Sequence, residues 1–86
     1  MKMKSKQQLP KWFEGELYEE GAVVTNPFSG EKYELSRHEL SMYDFIMGAQ
    51  MAFESGLNNS KMVKDFQRGL DWFRKNNAKA YMVLLD

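Results

Sequence analysis

Few residues in this chain could do chemistry, and their spacing settles most of the question. The single histidine, His38, is followed by Ser41 and Asp44. A base, a hydroxyl nucleophile and an orienting acid work as a relay only when each lies within hydrogen-bond reach of the next. Offsets of three and six along one helix do not hold all three on one line, so His38 reads as a surface helix residue. One histidine and no cysteine give none of the paired-ligand spacings of a zinc site. Glu14, Glu16, Glu19 and Glu20 could pair as acid and base or hold a divalent ion. Tuned carboxylates need burial, however, and this glycine-interrupted stretch reads as a solvated strand or loop. The six glycines are scattered singly, with no phosphate-cradling loop ahead of a helix. The expectation is a protein that is not an enzyme and carries no cofactor and no metal.

Two other groups of residues point to binding. Lys61, Lys64, Arg68 and Lys75 share one face of a helix-period segment, and cations clustered on a helix are a footprint of nucleic-acid contact. Asp65 and Asp71 border the stripe, and any amphipathic helix puts charge opposite its apolar face. The second group is Met42, Met47, Met51 and Trp72. Methionine side chains adapt to varied partners, and methionine and aromatic residues are enriched at interfaces. The leading expectation is therefore a protein-interaction module, with a second copy of the chain among its candidate partners. The alternative is nucleic-acid binding through the basic N-terminal residues and the Lys61 stripe.

These side chains need elements to position them. Ala22–Asn26 is β-branched, and in 31–35 Tyr33 and Leu35 share one face while Lys32 and Glu34 share the other. Between the two segments, Asn26-Pro27 suits the start of a turn and Gly30 can take the positive φ that closes it. This predicts a β-hairpin, with Glu16-Leu17-Tyr18 as a candidate third strand of a meander. Ser36-Arg37-His38-Glu39 has the pattern of a capping box opening a helix. That helix carries Met42, Phe45, Ile46, Ala49, Ala52 and Phe53 at helical spacing, and Gly56 can end it. A second helix follows from a Ser60 cap, with Val63, Phe66, Leu70 and Phe73 on its inner face. Asn76-Asn77 breaks it, and a short terminal helix presents Tyr81, Leu84 and Leu85. The predicted fold is α+β: a hairpin or three-stranded meander packed on two main helices and a short C-terminal one. Tyr33, Leu35, Phe45, Ile46, Ala49, Phe53, Val63, Phe66, Leu70, Phe73, Tyr81 and Leu84 are its expected core.

Size and charge bound the rest. Eighty-six residues with 43% hydrophobic content allow one domain, placed at 9–86, behind a mobile basic tail at 1–8. Trp12 and Phe13 are expected to anchor that tail. No run approaches the roughly 18 apolar residues of a membrane helix, and no apolar stretch follows the lysines at the start to make a signal segment. A cytoplasmic protein is expected. Twelve basic residues balance twelve acidic ones. The balance is uneven along the chain, with a net +4 over residues 1–11, −7 over 12–57 and +3 over 58–86.

Three stretches carry a resemblance: Val24-Thr25-Asn26-Pro27-Phe28-Ser29-Gly30-Glu31, the segment Leu40 to Ala49, and the closing segment Arg68 to Asp86 with its Trp72-Phe73-Arg74 and final Leu84-Leu85-Asp86. In this order they resemble a group of small uncharacterised proteins of tailed bacteriophages, marine ones especially, over about residues 10–86. The resemblance implies the cytoplasm of an infected bacterium and carries over no functional residue.

Overall fold

The computed structural model describes residues 7–57 and 59–85. Strands β1 (Ala22–Thr25) and β2 (Lys32–Leu35) are followed by helices α1 (Arg37–Glu54), α2 (Ser60–Asn76) and α3 (Ala78–Leu84), an α+β fold. The tail expectation for Lys2, Lys4 and Lys6 lies outside the described residues. Gln7 and Gln8, assigned to the same tail, are fastened to the domain. The Gln7 amide donates to Glu39 Oε2 at 2.6 Å, and the Gln8 carbonyl accepts from the Trp72 indole at 2.9 Å.

The hairpin is antiparallel, with Ala22 opposite Leu35 and Thr25 opposite Lys32. This register turns Val24, Tyr33 and Leu35 inward and leaves Val23, Lys32 and Glu34 exposed, the alternation that a half-buried strand imposes. The connecting loop is held by Asn26. Its N–H donates to Glu31 O at 2.7 Å, its carbonyl accepts from Gly30 N at 2.8 Å, and its side-chain oxygen accepts from Phe28 N at 2.8 Å. Gly30 closes the loop at φ +80, where a side chain would be strained. Of the two alternatives, hairpin or meander, the hairpin is found: the candidate third strand at 16–18 does not form. Leu17 is exposed, and the Tyr18 amide donates to Ser41 Oγ rather than to a neighbouring strand.

The α1 capping box forms as its sequence predicts. Glu39 N donates to Ser36 Oγ at 3.2 Å, and Ser36 N donates to Glu39 Oε1 at 2.9 Å. The cap of α2 falls one residue earlier than expected. Asn59, in extended backbone, accepts from the Lys61 and Met62 amides, while Ser60 is already helical. Asn77 serves both neighbouring helices: its N–H donates to Phe73 O, ending α2, and its side-chain oxygen accepts from Ala80 N, opening α3.

Leu35, Met42, Ile46, Phe73, Ala80 and Leu84 form the buried core, with Ala49 beside it. Of the expected core, Tyr33, Phe45, Phe53, Val63, Phe66, Leu70 and Tyr81 are only half-buried, because a small domain has more apolar side chains than interior. Met42 corrects the sequence reading: assigned to an interface, it is wholly buried between α1 and α2. Gly69 is the reason. A Cβ on Gly69 would stand 3.2 Å from Met42 Sδ and 3.3 Å from Ile46 Cγ1, so the missing side chain lets the two helices close over the methionine.

Gly69→Val should therefore overpack the α1–α2 contact and cost about 1–3 kcal/mol. In urea unfolding the midpoint would fall with the slope unchanged; an unaltered midpoint would refute the contact. Glu39→Gln probes a different joint. Glu39 is buried, and Oε2 also accepts from Asn77 Nδ2 at 3.0 Å. Asn77 is held in that orientation by its cap on α3. A glutamine amide thus faces a donor either at Ser36 or at Asn77, a loss of about 1–3 kcal/mol. The melting temperature should fall by several degrees.

Candidate functional site

The histidine relay is not assembled. Ser41 is buried; its hydroxyl donates to Arg37 O at 2.8 Å and accepts from Tyr18 N at 3.0 Å. Asp44 is exposed, and the Tyr18 hydroxyl has its pKa pushed up first by desolvation and then by the Asp44 and Glu16 carboxylates. Glu14, Glu16, Glu19 and Glu20 are all exposed. Among the described residues no group of three or more metal-ligating side chains comes together, and no helix is long and apolar enough to cross a membrane.

The structure separates the candidate interface residues into two surfaces, apart from the buried Met42. Trp72 meets the N-terminal segment. Trp12 packs on Phe45 with ring centroids 5.9 Å apart, and the Arg68 guanidinium lies 4.8 Å above the Trp12 ring. Pro10, Trp12, Arg68, Asp71, Trp72, Lys75 and Asn76 enclose an open cleft of about 290 Å³. Sequence spacing placed Trp72 beside the basic stripe but gave no sign of Trp12 across from it, sixty residues earlier.

The second surface is the hairpin tip. Phe28 is 97% exposed, and beside it Asn26, Pro27, Met47, Gln50, Leu84 and Leu85 line a cleft that carries no charge among the described residues. Met51, one turn beyond Met47, is also exposed. The loop segment predicted the turn, yet the consequence for Phe28 was legible there too: an aromatic at a tight turn points away from any core. No family model, curated protein or solved structure matches the chain. Geometry and charge alone therefore define these two surfaces.

The basic stripe is less uniform than the sequence implies. Asp65 is not a bordering acid; it is buried beneath the stripe, its carboxylate taking Lys61 Nζ at 2.8 Å and Arg68 at 2.5 Å. Lys61 also reaches Glu14 at 3.4 Å, and Arg74 pairs with Asp71. Lys64 and Lys75 are exposed and make no ion pair among the described residues. The hydrogen bond from Lys61, then that from Arg68, holds the Asp65 carboxyl below the usual aspartate range, and Asp65 in turn raises Lys61.

A lowered aspartate pKa stabilises the fold above the unfolded value of about 3.9 and loses that contribution as pH falls through the folded value. The raised Lys61 acts at the other end, contributing below about pH 10.4 and fading as pH rises through its folded value. Asp65→Asn should thus flatten the acid limb of stability. Between about pH 6 and pH 3 the wild-type melting temperature should drop more than the variant's. Parallel curves would show that the Asp65 cluster does not couple to folding.

Proposed function

We propose that this chain is a non-enzymatic protein-interaction module whose contact surface is the edge formed by the hairpin tip, the middle of α1 and the end of α3. The observation that carries this reading is Phe28, 97% exposed on a loop that is itself held firmly. Asn26 closes the loop with its backbone and side chain, and its Nδ2 donates to Val83 O at 2.8 Å, tying the tip to α3. A large ring displayed on an ordered loop binds with little further ordering cost, and covering a phenylalanine gains about 1.5–3 kcal/mol. Met47 and Met51 beside it can adapt to a partner's shape.

A second copy of the chain is the favoured partner. Phe28 and the apolar side chains of Met47, Leu84 and Leu85 lie side by side on one edge. A two-fold axis between copies would set each ring against the other's cleft, the self-complementary arrangement of an isologous dimer. The resemblance to small tailed-phage proteins makes the cytoplasm of an infected bacterium the place to seek any other protein partner.

Light scattering after size exclusion, at rising concentration, is the test. The wild type should move from the 10.1 kDa monomer toward twice that mass, and Phe28→Glu should stay monomeric with an unchanged melting temperature. A wild type that remains monomeric throughout removes self-association. If a photocrosslinker at position 28 then captures no protein in the infected-cell cytoplasm, the module reading falls as well.

A further inference from the structure

The cleft on the other side of the molecule carries a separate reading, independent of the hairpin tip. We propose that it binds single-stranded nucleic acid, stacking a base against Trp72 beside the Arg68–Trp12 pair while Lys64 and Lys75 hold the flanking phosphates.

Three features support this. The first is the platform. Trp72 is half-buried and its indole N–H is bound to the Gln8 carbonyl, so the ring is fixed in place. Phe73 meets it at an interplanar angle of 68°, and among the described residues no cation lies over it as Arg68 lies over Trp12. Arg68 adds a planar cation that is already stacked on Trp12, with a side chain 43% exposed. Aromatic rings and arginine planes are what single strands stack upon, because every base has a π-face.

The second feature is charge. Along α2, Lys61, Lys64, Arg68, Arg74 and Lys75 outnumber Asp65 and Asp71, and both acids are neutralised within the helix by ion pairs. Asp71 is exposed on the cleft but held by Arg74, and the face is net positive, with Lys64 one turn before Arg68 and Lys75 two turns after it. Lys11, directly before Trp12 in the chain, is exposed as well. The third is scale: a cleft of about 290 Å³ suits a splayed base and not a duplex. A proline-rich peptide would also find a tryptophan-lined groove, but it would gain nothing from the lysines.

Trp12 and Trp72 are the chain's only tryptophans and both line the cleft, so intrinsic fluorescence reports on this site alone. Titrating an oligothymidylate of about ten nucleotides at low salt should quench it saturably. Trp72→Ala should weaken binding roughly tenfold or more, while Trp72→Phe keeps a stacking ring and most of the affinity. Lys64→Ala with Lys75→Ala, both at exposed positions, should lower the slope of log affinity against log salt by about 1.4, at about 0.7 per phosphate contact. Phe28→Glu should bind the oligonucleotide normally, which separates this proposal from the hairpin-tip reading. No saturable quenching at low salt would overturn it. So would equal quenching by inorganic polyphosphate or a proline-rich peptide, or an unchanged salt slope in the double lysine variant.

Discussion

The buried carboxylate of Glu39 joins three parts of the chain that lie far apart in sequence. It sits at the third position of α1, where unpaired amides and the helix dipole favour negative charge. Its oxygens accept from the Ser36 amide, from Gln7 and from Asn77, and among the described residues no cation pairs with it. A carboxylate taken this far out of water must be hydrogen-bonded or it destabilises the fold. The three bonds therefore fix three joints together: the N-terminal segment, the β2–α1 corner and the α2–α3 corner. Both candidate surfaces depend on this. Gln7 leads directly to Gln8, which holds the Trp72 indole, and on to Pro10 and Trp12, which form one wall of the tryptophan cleft, and Asn77 aims α3 so that Val83 meets Asn26 beneath the hairpin tip.

Charge follows a similar logic of local pairing inside a neutral total. The acids of α2 are spent on its own cations, Asp65 on Lys61 and Arg68 and Asp71 on Arg74. The exposed Asp71–Arg74 pair contributes little to stability. The buried Asp65 also sets placement: it holds Arg68 where it lies over Trp12, so an acid set into a basic stripe orders the cation it partly neutralises. Among the described residues, Lys64 and Lys75 are left as the unpaired charges of that face.

Local rules made much of the fold legible. The hairpin, the capping box, the helix end at Gly56 and the break at Asn76-Asn77 each depend on residues within a few positions of one another, and each is found. What the sequence did not reveal is long-range. The capping pattern identified Glu39 but could not show its bonds to Gln7 and Asn77, 32 and 38 residues away. Periodicity placed Met42 on an apolar stripe, yet only the missing side chain of Gly69 explains why that methionine is covered while Met51 is not. The third strand failed for a comparable reason, since Ser41 supplied the acceptor that a strand partner would have offered to Tyr18.

The same burial pattern explains where apolar surface is left over. Helix α1 carries Leu40, Tyr43, Met47 and Met51 beside its inner stripe. Helix α2, the hairpin and the N-terminal Trp12–Phe13 pair each cover part of it, through Ile46 and Met42, through Leu35, and through Phe45. Exposed apolar side chains also stand at Leu17, Val23, Leu57 and Met82; on α1 the exposed one is Met51, with Met47 half-buried beside the hairpin tip, and there the hairpin extends Phe28 outward instead of folding it back. A chain that has Leu84 and Leu85 within reach and still leaves that ring in water has a loop geometry that resists covering it. Asn26 imposes that geometry, so the exposed ring is a built feature of the loop rather than a packing failure.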